Sequence, residues 1–298
     1  MFSEYYLDHE RKNYAAQQCI KQRTFPLSAF CILTQTNPKI TQEVPCFIRD
    51  LPTIRMKLKE AIENLYSAFG KYTTTNMHYC DCGCIDEEDV KRLASKKLRE
   101  LEEDDFSSYH GSALYTWGDL EHYKHFLPRI FEVHNIKNGK GLIGLYEITT
   151  KLEYANWKTW DEKEVEAIKE FILADWNSFV ENRNSEIGTD DLEYYSFFYE
   201  LKDLLKLWDL SKTQNELKNF VTFFYYNGTD LINKGLKLKD KFYKNEFKDF
   251  INQKGLLENL EKEFFKADET DKEYAEKVSI VLQMIEQEKT VGNTVYSK

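Results

Sequence analysis

An all-α array of antiparallel helices is the fold class this sequence predicts, and three observations lead there. Apolar side chains recur three and four positions apart, the spacing of one helix face, most clearly beyond residue 160. Glycine and proline are scarce, 12 and 5 residues of 298, whereas all-β folds need frequent turn residues. No segment shows the apolar–polar alternation of a half-buried strand. Helix pairs of roughly 35–45 residues fit an irregular HEAT-like solenoid, with a closed helical bundle as the alternative.

In chain order, residues 1–45 stand apart. They carry Pro26, Pro38 and Pro45 and no long apolar period, so they are expected to form a poorly packed or non-native arm. Met56-Lys57-Leu58-Lys59-Glu60 reads as an alternative start. A single helical domain is expected over 46–298, with a cysteine-turn and Trp-Gly half at 46–136 and an aromatic-rich half at 160–298. Ile54, Leu58, Ile62, Leu65 and Phe69 share one helix face, and Gly70 is placed to stop that helix. Asp86 to Leu93 reads as a short helix with acidic residues in its first turn, where the helix dipole favours them. A second helix is expected from Asp104 to Trp117, ended by Gly118. A third begins at Asp119, buries Leu120, Tyr123, Leu127, Ile130 and Phe131, and is kinked by Pro128. A short helix is expected within Leu142 to Trp157.

The later helices announce themselves by their caps. Asp161-x-x-Glu164, Thr213-x-x-Glu216 and Thr270-x-x-Glu273 each have capping-box spacing. They introduce apolar faces made of Val165, Ile168, Ile172, Trp176 and Phe179; of Leu217, Phe220, Val221 and Phe224; and of Tyr274, Val278, Val281 and Ile285. Between them, one helix is expected over about 190–209 through Tyr195, Phe198, Leu201, Leu205 and Trp208. Phe242, Phe247 and Phe250 mark another helix, and Leu256, Leu257, Leu260 and Phe264 one more.

Composition bounds the function classes. Apolar residues are 42% of the chain, enough to offset the ordering entropy of a folded domain. Net charge is −10, with 51 acidic against 41 basic residues, so nucleic acid and anionic membranes are not expected partners. No apolar run reaches the ~18–20 residues that span a bilayer. Phe25 to Leu33 lacks the net-basic flank of a signal peptide, because Asp8 and Glu10 stand beside Arg11 and Lys12. Six cysteines in 298 residues are too few for a disulfide scaffold, and a reduced cytoplasmic setting is expected.

The chemistry-bearing residues crowd into His78 to His134. His78, Cys80, Cys82 and Cys84 alternate with single residues, so in an extended segment all four side chains point one way. Thiolate and imidazole are good zinc ligands, which makes this run a candidate zinc site. A distant His110, His122, His125 or His134 is the alternative source of a completing ligand. A nucleophilic cysteine is disfavoured, since Asp81, Asp86, Glu87 and Glu88 raise a nearby thiol's pKa. His122, His125 and Arg129 fall on one face of the third helix and form a candidate partner-binding set. Gly139-Lys140-Gly141-Leu142-Ile143-Gly144 matches G-x-G-x-x-G, but it follows a helix and lacks a βαβ frame, so it reads as a loop. The aromatic runs at 194–199 and 223–226 are core packing first and a concave partner surface second.

Cys80-Asp81-Cys82-Gly83-Cys84, Leu98-Arg99-Glu100-Leu101, Thr116-Trp117-Gly118-Asp119 and Phe126-Leu127-Pro128-Arg129 follow one another in this span. In these motifs the chain resembles a bacterial family of unknown function with a cysteine turn, a Trp-Gly turn and a Phe-Leu-Pro-Arg helix. The resemblance covers about a fifth of the chain; the spacing here is wider than the family's Cys-x-Cys-Cys turn. It implies an all-helical, bacterial, cytoplasmic protein and brings no activity with it. The reading reached from sequence is a protein–protein interaction module with a structural zinc. An immunity or antitoxin-like protein facing a basic partner is its concrete form. The rival is a metal-dependent enzyme built on the cysteine–histidine turn.

Overall fold

Side-chain caps open several helices where the sequence places them. Asp86 Oδ1 accepts from the Glu88 amide at 2.8 Å, Asp119 Oδ1 from the amides of Glu121 and His122, and Asp161 Oδ1 from the Lys163 amide at 3.0 Å. The computed structural model describes residues 57–137, 141, 143–182, 185–212 and 214–295, with side chains to 290. The 1–45 arm, Met56 and Ile54 lie outside the described residues, as does Thr213.

Twelve α-helices make up the described chain: α1 Leu58–Phe69, α2 Glu87–Ala94, α3 Glu103–Ser112, α4 Leu120–Ile136, α5 Leu145–Tyr154, α6 Glu162–Glu181, α7 Thr189–Tyr195, α8 Leu201–Leu207, α9 Gln214–Asn233, α10 Lys244–Ile251, α11 Leu256–Thr270 and α12 Lys272–Val295. Short 3-10 turns sit at Leu98–Glu100 and Trp157–Thr159. The all-α class is borne out. Among the described residues no helix is long and apolar enough to cross a membrane. Packing is not confined to successive pairs. Helix α1 lies against both α4 and α6, and α12 packs on α11 and α9. One continuous core results, in which Trp117, Trp157, Trp176 and Trp208 are all fully buried. Trp176 and Trp208 meet edge to face at 5.9 Å, and their indole N–H groups donate to the Leu204 and Glu216 carbonyls.

Several elements depart from expectation, each for a local reason. Leu236–Leu238 and Lys241–Tyr243 pair as an antiparallel hairpin, β1 and β2, so Phe242 lies in a strand and is exposed. Three residues per strand are too few to print an alternation, and the turn uses Lys239 at φ +53° where Asn or Gly would advertise it. The 190–209 helix is two helices, α7 and α8, joined by a turn without Gly or Pro; its apolar set from Tyr195 to Trp208 is buried as expected. Helix α3 stops at Ser112, five residues short of Trp117. Gly70 ends α1 in right-handed geometry, and α4 runs unbroken through Pro128. Leu120, expected in the core, is 37% exposed. Asp271, rather than Thr270, caps α12 by accepting from the Tyr274 amide at 3.1 Å.

Glu164 does not complete a capping box. It is 1% exposed, and its carboxylate accepts from Lys124 Nζ at 2.6 Å, Tyr72 Oη at 2.6 Å and Lys71 Nζ at 2.9 Å. Lys124 is itself buried, with its ammonium 4.2 Å from the Trp160 ring centroid. Burial pushes the Glu164 pKa up, but the hydrogen bonds from Lys124, Tyr72 and Lys71 outweigh it and hold the carboxyl below its ordinary value. Glu164→Leu therefore strands the Lys124 ammonium, and a loss of about 3–5 kcal/mol is expected in urea denaturation. The double variant Lys124→Met/Glu164→Leu should lose less than Glu164→Leu alone. The folded pKa is depressed, so the Glu164 contribution is present above its unfolded value and fades as pH falls through the folded one.

Candidate metal centre

The cysteine turn is built against the Trp-Gly corner. The Gly118 amide donates to the His78 carbonyl at 2.7 Å, and the Cys80 amide to the Thr116 carbonyl at 2.8 Å. Tyr79 and Trp117 thus form an isolated antiparallel bridge, with their rings 6.4 Å apart. Trp117 is 1% exposed and meets the Tyr109 ring edge to face at 5.3 Å. Gly118 has φ +70°, and a Cβ there would stand 3.0 Å from the Cβ of His122, so a side chain is both strained and crowded.

Beyond Cys80 the chain leaves the extended line and bends through 81–85. Gly83 takes φ +83°, which lets three thiols of one short run turn inward together. Cys80 Sγ lies 2.7 Å from Cys82 Sγ, and Cys82 Sγ 3.0 Å from Cys84 Sγ. All three sulfurs lie within 4.8 Å of one another, close enough to hold a metal ion. Cys80 is buried, Cys84 half-buried and Cys82 exposed. Three soft donors suit zinc or another thiophilic ion. Zn–S bonds of about 2.3 Å set tetrahedral sulfur edges near 3.7 Å, so the sulfurs part by roughly 1 Å around such an ion.

Burial, then hydrogen bonding with Cys82 and Cys80, pushes the Cys84 thiol up to about 12. A thiol so placed is protonated at neutral pH and makes no nucleophile. A metal entering the turn must displace its proton. A cavity of about 420 Å³ opens beside Cys84, lined by Gly83, Asp86, Asp89, Ser108 and Ser112 among others.

His78 is exposed and lies outside the sulfur cluster. The other histidines are engaged elsewhere. His122 is buried; its Nδ1 faces the Asp119 amide at 3.1 Å and its Nε2 the Thr75 carbonyl at 3.1 Å. His122 Nδ1 also lies 2.8 Å from Asp119 Oδ1. His125 Nδ1 meets the Tyr72 carbonyl at 2.8 Å, and the buried His134 Nδ1 meets the Ile143 carbonyl at 2.9 Å. Arg129 Nε donates to the Leu101 carbonyl and Nη1 to Glu132, both at 2.6 Å. His122, His125 and Arg129 therefore brace the 71–75 loop and the Leu101 turn instead of lining a solvated face. His110 is likewise buried in α3. Gly144, from the G-x-G-x-x-G match, precedes α5; Gly139, Lys140 and Leu142 lie outside the described residues.

Sequence inspection missed Lys151. It is 4% exposed, and its ammonium donates to the Gly111 and Ala113 carbonyls at 2.8 Å each, 3.5 Å from the Tyr115 ring centroid. The residue caps the end of α3 from α5 and explains why that helix stops before Trp117. A lysine in a helix with ordinary acidic neighbours carries no signal of such burial. No family model, curated protein or solved structure matches the chain.

Burial lowers the Lys151 pKa to about 7, below the ~10.4 of an unfolded lysine. Between these values the unfolded chain binds the extra proton, so this residue makes stability rise with pH from about 7 upward, by at most about 1.4 kcal/mol per pH unit. The difference in unfolding free energy between wild type and Lys151→Met, followed by denaturant titration from pH 6 to 9, should show that slope. A flat difference would contradict it.

Proposed function

We propose that this chain is an all-helical, zinc-holding module that works by binding a protein partner. The convergence of the Cys80, Cys82 and Cys84 sulfurs within 4.8 Å carries the metal half of this reading. His78, two residues before Cys80, is the expected fourth ligand, brought in by a side-chain rotation. Held this way, zinc fixes the 80–84 turn to a single point and stiffens its bridge to the Trp117 corner. Its role is structural, and neutral-pH nucleophilic chemistry at Cys84 has no support from the thiol's environment.

Net charge supports the partner half. At −10, the chain favours association with a basic surface, and an immunity or antitoxin-like protein in a reduced cytoplasm is the concrete form. The enzyme alternative requires His110, His122 or His125 to share a pocket with the cysteine turn. His122 and His125 instead meet the backbone carbonyls of Thr75 and Tyr72, and His110 is buried in α3 and does not line the cavity beside Cys84, so the geometry lends it no support.

Protein purified without added metal should contain one zinc per chain by elemental analysis. Cys82→Ser should abolish that content, and His78→Ala should weaken retention against a chelator. Sub-stoichiometric zinc that is unchanged in Cys82→Ser would remove the metal half. Affinity should rise with pH, because binding releases the thiol protons.

A further inference from the structure

Helix α5, the Trp157–Thr159 turn, the α7–α8 turn and the tip of the β1–β2 hairpin enclose a groove of about 570 Å³. That volume lies in the range of ligand and peptide clefts. Tyr146, Tyr194, Phe197 and Tyr243 furnish its aromatic wall, and Glu153, Glu193 and Glu200 stand exposed along it. Tyr146 is 59% exposed, and its ring lies 6.0 Å from that of Tyr194. The Tyr194 phenol is shifted up by burial and then by the carboxylates of Asp190, Glu147, Glu193 and Asp191, so the field at this wall is negative.

A cation already stands at the wall. Lys158 Nζ lies 6.0 Å from the Trp157 ring centroid and 5.9 Å from that of Phe197, at the outer limit of cation–π attraction. Lys239, at the hairpin tip, is the other basic residue of the groove. The acidic side chains of the groove and its margin outnumber these two lysines.

We propose that this groove docks an extended, arginine- or lysine-bearing segment of the partner protein. The proposal rests on the protein-partner reading above and gives it a location. Guanidinium groups and lysine stems stack on Tyr146 and Tyr194, while the cationic heads meet Glu153, Glu193 and Glu200 at the rim. Stacking supplies affinity; the exposed carboxylates supply steering and selection against acidic segments. Among the described residues, none of these three glutamate side chains caps a helix or bridges to another element.

Fluorescence anisotropy of a labelled oligo-arginine peptide with the full-length chain tests this, with oligo-glutamate and glycine–serine peptides as comparisons. Saturable binding of oligo-arginine alone is expected. The triple variant Glu153→Gln/Glu193→Gln/Glu200→Gln, and separately Tyr146→Ala, should each weaken it by about tenfold. A control triple of equal charge change on exposed residues of α11 and α12, Glu261→Gln/Glu269→Gln/Glu276→Gln, should stay within about twofold of wild type. Equal losses in the two triples would overturn the groove and leave the basic-partner reading standing. Equal binding of the glycine–serine peptide, or no effect of Tyr146→Ala, would also overturn the groove. If no peptide binds, both the groove and the basic partner fall, and the zinc reading is untouched.

Discussion

The carboxylate of Glu164 is the point on which the N-terminal half of the fold depends. Three donors from two other segments converge on it: Lys124 from α4, and Lys71 and Tyr72 from the loop after α1. Two buried opposite charges are costly to desolvate and are retained only when their hydrogen bonds are complete. The same loop is gripped through its backbone, by His125 at Tyr72 and by His122 at Thr75. It then leads into Met77, His78 and Tyr79. The position of the cysteine turn is therefore inherited from a salt bridge one loop away.

A second constraint fixes the other side of the turn. Lys151 ends α3, the chain reverses through Leu114 at φ +68°, and Trp117 arrives beside Tyr79. The three thiols are thus presented by a short extended segment pinned on one edge, with Gly83 supplying the bend. Alternation alone would have left them in a row. Pinning and bending together bring them to one point.

The helices were legible because their faces are long and periodic: Ile168, Ile172 and Trp176, or Phe220, Val221 and Phe224, bury as their spacing demands. The candidate site was legible as a residue list, since cysteines declare their chemistry. Its surroundings were not. Glu164 has the spacing of a capping residue and is drawn away by Lys124, an interaction between positions 40 apart. His122, His125 and Arg129 look like a solvated stripe, yet each finds an acceptor on a segment that passes over that face. Lys151 and the aromatic groove depend wholly on which segments meet, and local pattern carries no record of that. The hairpin at 236–243 is too short for its period to be read.

The placement of α1 has a consequence for how the chain is made. Asn64 on α1 donates to Glu170 on α6, a separation of 106 residues, and Leu65 and Phe69 are buried in the shared core. A ribosome adding ~5–20 residues per second delivers α6 several seconds after α1. During that interval α4 is the first helix to reach α1, and the side of α1 that packs on α6 stays uncovered. Its residence in the nascent state is set by the length of chain between the two helices, and a holding chaperone would find it there before the rest of the core exists.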